Sequence, residues 1–291
     1  MKICVICGKI MKKISILGCG WLGLPLAKSL ISKGFSIKGS TTSEEKLSVL
    51  KDAGIEPFLI SIKSNKVVGE VTKFLADSDI LIIDIPPNLR QGNTESFIEK
   101  MQQSIPFLEQ STIKKIIFVS STSVYSGISL DCADDENSIA RENQFKVTEE
   151  SIAIPENESG TQLLASEKIL FANKNFETTA IRFGGLIGKD RNPTLFLAGR
   201  KNIENADAPI NFIHQIDCIG IIERIIETNV WNQIFNGVAP FHPSRKNYYT
   251  QKAIEMGLEI PEFDESKPSF GKIVSSEKVQ TVLDYEFVGV L

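Results

Sequence analysis

One six-residue string, Gly18-Cys19-Gly20-Trp21-Leu22-Gly23, limits what this chain can fold into more than any other. It lies between an apolar run, "KKISILG", and a stretch of helical periodicity, "WLGLPLAKSLISKG", closed by Gly34 as a C-cap. G-x-G-x-x-G in that position marks a strand-turn-helix unit. The first glycine permits the tight turn, the second lets backbone approach a pyrophosphate, and the third lets the helix pack close to the strand. The phosphates then meet open N–H groups at a helix N-terminus. A structural glycine turn can imitate the string, but its placement points to a dinucleotide held by Gly18, Gly20, Trp21, Leu22 and Gly23.

The rest of the first half repeats the alternation. "FSIKGS", "EPFLISI", "DILIIDIPP" and "KKIIFVSS" read as strands. "SEEKLSVLKDAG" (with Ser43 as N-cap), "NKVVGEVTKFLADS" and "ESFIEKMQQSIPFLEQ" read as helices. Near-continuous Ile/Leu/Val strands between helices require a parallel sheet covered on both faces. The expected class is α/β, a doubly wound Rossmann sheet with a smaller C-terminal domain. From 126 to 160 the period stops, and seven acids from Asp131 to Glu150 face two bases, which reads as a solvated loop. Alternation resumes with "SGTQLLASEKILFANK" (helix), "TTAIRFGG" (strand), "APINFIH" (strand), "QIDCIGIIERIIE" (helix), "WNQIFNGV" (strand) and a helix from Ser244. The expected division is a leader over 1–11, a dinucleotide-binding domain over 12–185 and a substrate domain over 186–291, with 210–228 returning to the Rossmann sheet.

Composition closes off other classes. With 32 Lys and Arg against 36 Asp and Glu there is no basic footprint for nucleic acid. No apolar run approaches the roughly 20 residues of a membrane span, and "MKICVICGKIMKK" is too short and too charged for a signal peptide. The expected location is cytoplasmic and the expected state a monomer or homodimer. Cys4, Cys7, Cys19, Cys132 and Cys218 lack framework spacing, as for reduced thiols. Cys4 and Cys7 form a C-x-x-C, but it precedes the first strand and lacks a second ligand pair, so no metal is expected. Met11-Lys12-Lys13 reads as a natural start.

Cofactor choice is read at the end of the second strand, where NAD-specific folds carry an acid for the ribose hydroxyls. Here the chain is Gly39-Ser40-Thr41-Thr42-Ser43. Nothing there repels a 2′-phosphate, hydroxyls of Ser40, Thr41 and Thr42 can accept it, and Lys38 or Lys46 can supply charge. NADP is therefore favoured over NAD. Pro86 and Ser120, at the ends of later strands, complete the expected cofactor contacts.

Two resemblances follow from these residues. "GCGWLGLPLAKSLISKGFSIKGSTTSEEK" resembles the opening of β-hydroxyacid dehydrogenases, which continue with an all-helical half and a helix-borne catalytic lysine absent here. After residue 115, "FVSSTSVYSG", "AIRFGGLIGKDRNP" and "INFIHQIDCIGII" resemble, in order, motifs of the extended short-chain dehydrogenase/reductase superfamily, with its nucleotide-sugar epimerases and dehydratases. Within it the chain is similar to the YeeZ-like atypical members. The resemblance implies NAD(P) chemistry on a small, nucleotide-sugar-class substrate. Two departures matter. Leu17 stands at the first glycine of the superfamily's G-x-x-G-x-x-G, and its Tyr-x-x-x-Lys pair falls on Ser159 and Leu163. A serine hydroxyl has a pKa far above operating pH, and a leucine carries no charge, so the usual proton route is closed.

What remains for catalysis is Ser121, at the superfamily's Ser/Thr position, weighed against a backbone-capping role. Lys168 falls off the expected helix face. His214 is expected to tie strand to helix, and Arg182, Arg191 and Arg245 to act in structural pairs or on an anionic substrate. Tyr248 and Tyr249 are expected to line a pocket, with at least one in the core.

Overall fold

The computed structural model describes residues 12–87, 95–127 and 144–290. The expected leader over 1–11, and with it Cys4 and Cys7, lies outside them, as does 128–143 of the acidic stretch. The first half runs β1 (Lys13–Leu17), α1 (Gly23–Ser32), β2 (Ser36–Thr41), α2 (Glu45–Asp52), β3 (Glu56–Leu59), β4 (Ser61–Ile62), β5 (Val67–Val68), α3 (Val71–Leu75), β6 (Ile80–Ile83), α4 (Phe97–Glu109) and β7 (Lys115–Ser121). It continues with β8 (Gln144–Val147), α5 (Glu158–Ala172), β9 (Glu177–Phe183), β10 (Gly185–Ile187), β11 (Phe212–His214), α6 (Gln215–Thr228), β12 (Ile234–Gly237), α7 (Arg245–Glu255), β13 (Gly271–Val274) and α8 (Glu277–Val282).

Seven strands form the central sheet in the order β12-β9-β7-β6-β1-β2-β3, every neighbouring pair parallel. The chain winds outward from β1 in one direction through β2 and β3, then in the other through β6, β7, β9 and β12. The order therefore reverses between β1 and β6, and the cleft above that pair is where doubly wound sheets take ligands. Apolar side chains fill both faces. One core joins α1, α6 and the sheet, and the other joins α4, α5 and the sheet. No helix among the described residues is long and apolar enough to cross a membrane.

Local chemistry explains most boundaries. Gly34 takes φ +87° just past α1, and Phe35 N–H returns to Leu30 carbonyl oxygen at 3.1 Å, a left-handed C-cap. Asn157 opens α5 by accepting Gly160 N–H at 2.8 Å, and Ser244 opens α7 by accepting Asn247 N–H at 3.3 Å. Three expectations need correction. "NKVVGEVTKFLADS" is not one helix: Val67–Val68 pairs antiparallel with Ser61–Ile62, and only Val71–Leu75 is helical. Gly69 decides this, for its φ is +110° and an added Cβ would stand 2.2 Å from Leu59 carbonyl oxygen. Ser43 does not cap α2 through its side chain; Glu44 occupies the N-cap with no side-chain bond. The acidic stretch ends in a strand, β8, paired in parallel with β13.

The small C-terminal part is built on the ends of β9 and β12. Within the segment 210–228, β11 pairs with β10 in a separate two-stranded ladder, while Ile213 and the apolar side of α6 join the core on the central sheet. α6 then packs back on α1, and β12 closes the sheet edge beside β9. Tyr248 and Tyr249 are both buried, edge to face with a 5.3 Å centroid separation, in a cluster with Ile210 and Phe212. They form core rather than lining a pocket. The last described segment lies over the start of α6. Fully buried Asp217 accepts Tyr285 hydroxyl and Val288 N–H on one oxygen and Gly289 N–H on the other, each at 2.9 Å.

Candidate functional site

The glycine turn follows β1 at the switch point. Gly18 has φ +106°, and a Cβ there would meet Asp84 carbonyl oxygen at 2.4 Å. A Cβ on Gly23 would meet Gly18 carbonyl oxygen at 2.2 Å, so the helix starts as close to the strand as backbone allows. Gly20 has open space on its outer side and is exposed. Ser40, buried at the end of β2, accepts Gly18 N–H at 2.9 Å, and Cys19 N–H donates to Ser40 carbonyl oxygen at 2.8 Å. The second strand thus pins the turn from the side. These features fit a dinucleotide pyrophosphate: a cradle that any side chain at 18 or 23 would fill, opening outward at Gly20.

The second half of the chain roofs the turn. Gln215, at the start of α6, donates to Trp21 carbonyl oxygen at 2.6 Å, and the Arg191 guanidinium lies 5.2 Å from the Trp21 ring centroid. Leu22 is buried in the core, so only its backbone faces the cleft. Asp84 emerges from β6 beside the turn, half-buried, with Gly23 N–H near enough to favour its charged form. Burial pushes its carboxyl up to about 8 against the pull of that one N–H. Cys19 is raised to about 12, by burial first and the Asp84 charge second. Cys218, on α6, is raised for the same two kinds of reason.

At the end of β2, Thr41 is buried and accepts Ser43 N–H at 3.1 Å, while Thr42 and Lys46 are exposed. Lys38 corrects the expectation for it. Its ammonium is buried and donates to Lys73 and Ala76 carbonyl oxygens, both at 2.7 Å, so it closes the end of α3 instead of meeting a phosphate. Pro86 is exposed just past β6.

The strand-five motif carries a buried polar network. Ser120, expected at the cofactor, is buried and donates to Glu167 at 2.6 Å. Glu167 takes a two-pronged hydrogen bond from Arg182, at 3.1 Å through Nε and 2.6 Å through Nη2. Arg182 also donates to Tyr125 hydroxyl at 2.7 Å, and that hydroxyl donates to Asn236 Oδ1 at 2.9 Å. Asn236 N–H in turn donates to Glu149 at 2.7 Å. Burial raises Tyr125 although Arg182 beside it pulls the other way, and burial raises Glu149. Lys272, from β13, reaches back to donate to Thr122 and Tyr125 carbonyl oxygens, and burial lowers its pKa. Arg182 therefore serves structure, not an anionic substrate.

Ser121 is half-buried, and its oxygen accepts Ser123 N–H at 3.2 Å, capping the 3-10 turn Thr122–Val124. Ser121→Ala is expected to cost about 1 kcal/mol of stability through the lost cap, with dinucleotide affinity unchanged, as a melt and a titration read in parallel. Ser159 is half-buried in the first turn of α5, and Leu163 is packed into the core, 4% exposed. Lys168 is exposed, as its helix position requires. His214 Nδ1 accepts Ile216 N–H at 3.2 Å and ties β11 to α6. Arg245 donates to Glu204 carbonyl oxygen at 2.7 Å. Sequence reasoning passed over Asp84, Glu167 and Lys272; only Asp84 carried a visible signal, as a lone acid where an Ile/Leu strand ends.

The fold has counterparts. No family model matches the chain. Protein YeeZ of Escherichia coli K12 is 31% identical over 279 residues, 95% of this chain and 96% of that one. The chain belongs to the YeeZ family. Among solved structures, UDP-glucuronic acid 4-epimerase from Bacillus cereus in complex with NAD superposes with TM-score 0.74 at 18% identity, over 96% of this chain and 92% of that one. A short-chain dehydrogenase/reductase superfamily protein from Agrobacterium tumefaciens with bound NAD gives 0.73 at 13%, over 96% and 93%. This YeeZ-family chain thus shares the Rossmann fold of those NAD-bound structures.

Proposed function

We propose that this YeeZ-family protein is an NAD(P)-dependent oxidoreductase of epimerase/dehydratase type acting on a small, nucleotide-sugar-class substrate. The observation that supports it most is the glycine turn at the switch point, pinned by Ser40 and open at Gly20. The substrate class rests on the fold's likeness to an epimerase named for UDP-glucuronic acid. When bound, the nicotinamide would accept or return a hydride. Gly18, Gly20 and Gly23 would hold the pyrophosphate through backbone, with Trp21 and Leu22 contributing N–H groups. NADP is favoured because the end of β2 offers Thr41, Thr42 and exposed Lys46 and no acid.

The proton route differs from Tyr-x-x-x-Lys. Leu163 in the core cannot steady a charge, and Ser159 has nothing to lower its pKa. Ser121 accepts one backbone N–H and keeps a hydroxyl proton to share with substrate through water. A second reading, a dinucleotide sensor without catalysis, is favoured by that same capping bond and by the aliphatic Leu163. Calorimetric titration with NADPH and then NADH, followed by a panel of UDP-sugars, tests both. Tight NADPH and weak NADH binding with turnover supports the first reading, and binding with no turnover supports the second. Binding of neither cofactor by folded protein removes both.

A further inference from the structure

The third glycine of the turn has a neighbour whose charge conflicts with a bound pyrophosphate. Asp84 N–H donates to Leu17 carbonyl oxygen at 2.9 Å, which fixes its backbone beside the end of β1. Its Oδ2 lies 3.1 Å from where a Cβ on Gly23 would stand, close enough for Gly23 N–H to favour the charged carboxyl. The acid therefore sits at the first residue of α1, where the backbone favours an anion. A pyrophosphate delivered to the same N–H cradle brings a second negative group against it. Two such charges in a half-buried cleft do not both stay ionised.

The surroundings give the carboxylate little help. The turn presents the Cys19 thiol and α6 presents the Cys218 thiol, both raised by burial first, then by the Asp84 charge at Cys19 and by Asp217 ahead of Asp84 at Cys218. The Arg191 guanidinium stacks on Trp21 and acts on Cys218. No cation among the described residues contributes to the state of Asp84, whose only stabilising donor is Gly23 N–H.

We propose that Asp84 is a cofactor-binding residue that meets the dinucleotide as the neutral acid, accepting Gly23 N–H on one oxygen and donating its own proton to a pyrophosphate oxygen. The proposal rests on the dinucleotide reading above and adds the protonation state of that site. Its sign follows from linkage. With the free carboxyl raised to about 8, most of the protein carries the proton at neutral pH. Above that point binding must take a proton up, and affinity falls toward tenfold for each further pH unit.

The test measures NADH affinity of the full chain from about pH 6.5 to about pH 9.5, a range that brackets the carboxyl. NADH is chosen because it lacks the 2′-phosphate, which would itself titrate. Wild type should bind with constant affinity at low pH and lose it on the alkaline side. Asp84→Asn should give a profile that stays flat across the range, since its amide can donate to phosphate but does not titrate. A flat wild-type profile, or an alkaline loss that persists in the Asn variant, overturns the proposal while leaving dinucleotide binding intact. Should the variant fail to fold, calorimetry of wild type at about pH 9 in two buffers of different ionisation enthalpy decides. Uptake of close to one proton per NADH is expected there, and zero uptake overturns the proposal. No NADH binding at any pH overturns it together with the reading it rests on.

Discussion

Arg182→Ala is expected to destabilise the protein by about 3–5 kcal/mol, the cost of leaving one member of a buried ion pair without its partner. The Arg182 and Glu167 side chains are 4% and 3% exposed and meet in two parallel hydrogen bonds. Removing the guanidinium strands the Glu167 carboxylate between β7 and β9 with Ser120 as its remaining donor. It also takes a donor from Tyr125 and the cation 4.8 Å from that ring centre. At roughly 2–4 °C per kcal/mol for a chain of this size, the melting midpoint should fall by about 10 °C. Replacing both partners, Arg182→Met with Glu167→Leu, should recover much of that loss, because neither charge is then left buried alone. A single variant that melts within about 1 °C of wild type would mean water reaches Glu167 and the network is not closed.

Gly23→Val is expected to abolish dinucleotide binding, with affinity down at least about a hundredfold, or roughly 2.7 kcal/mol. Even a single Cβ at this position stands 2.2 Å from Gly18 carbonyl oxygen and 3.1 Å from Asp84 Oδ2. A valine must push α1 off β1, which opens the N–H cradle that Ser40 pins through Gly18 and Cys19. The fold itself should lose about 1–3 kcal/mol from overpacking. Gly34→Ala is the matched control. Gly34 also needs its glycine, at φ +87°, but lies at the far end of α1 with open space around it. It should lower stability by about 1 kcal/mol and leave NADH affinity as it was. Tight binding by folded Gly23→Val protein would place the dinucleotide somewhere other than the turn.

The turn was legible because its demands are local: a positive φ, a close backbone approach and a helix start are all met within six residues. The alternating strands were legible for the same reason, since a parallel strand buried on both faces has to be apolar along its length. The Glu167 network was not legible. Glu167 sits within a helix pattern that usually puts glutamate in water, and its partners come from β7 and β9. Asn236, which completes the chain through Tyr125, is 111 residues from that tyrosine. The segment 65–78 was misread because its valines satisfy helical spacing, while the tertiary contact at Gly69 enforces a turn. Lys38 looked available because a lysine in a strand normally reaches solvent; here two carbonyls at the end of α3 hold it inside.

The tie between Asp217 and residues 285–289 bears on how this protein can be handled. Trimming the chain at Asp284 would remove three donors at once from a carboxylate with no exposed surface. The unpaired charge would sit at the start of α6, two residues from Gln215, whose side chain braces Trp21. A protease that nicks this tail would therefore loosen the roof of the glycine turn although it cuts far from it in sequence. Shelf life, and the choice of where to place a cleavable affinity handle, turn on keeping those five residues in place.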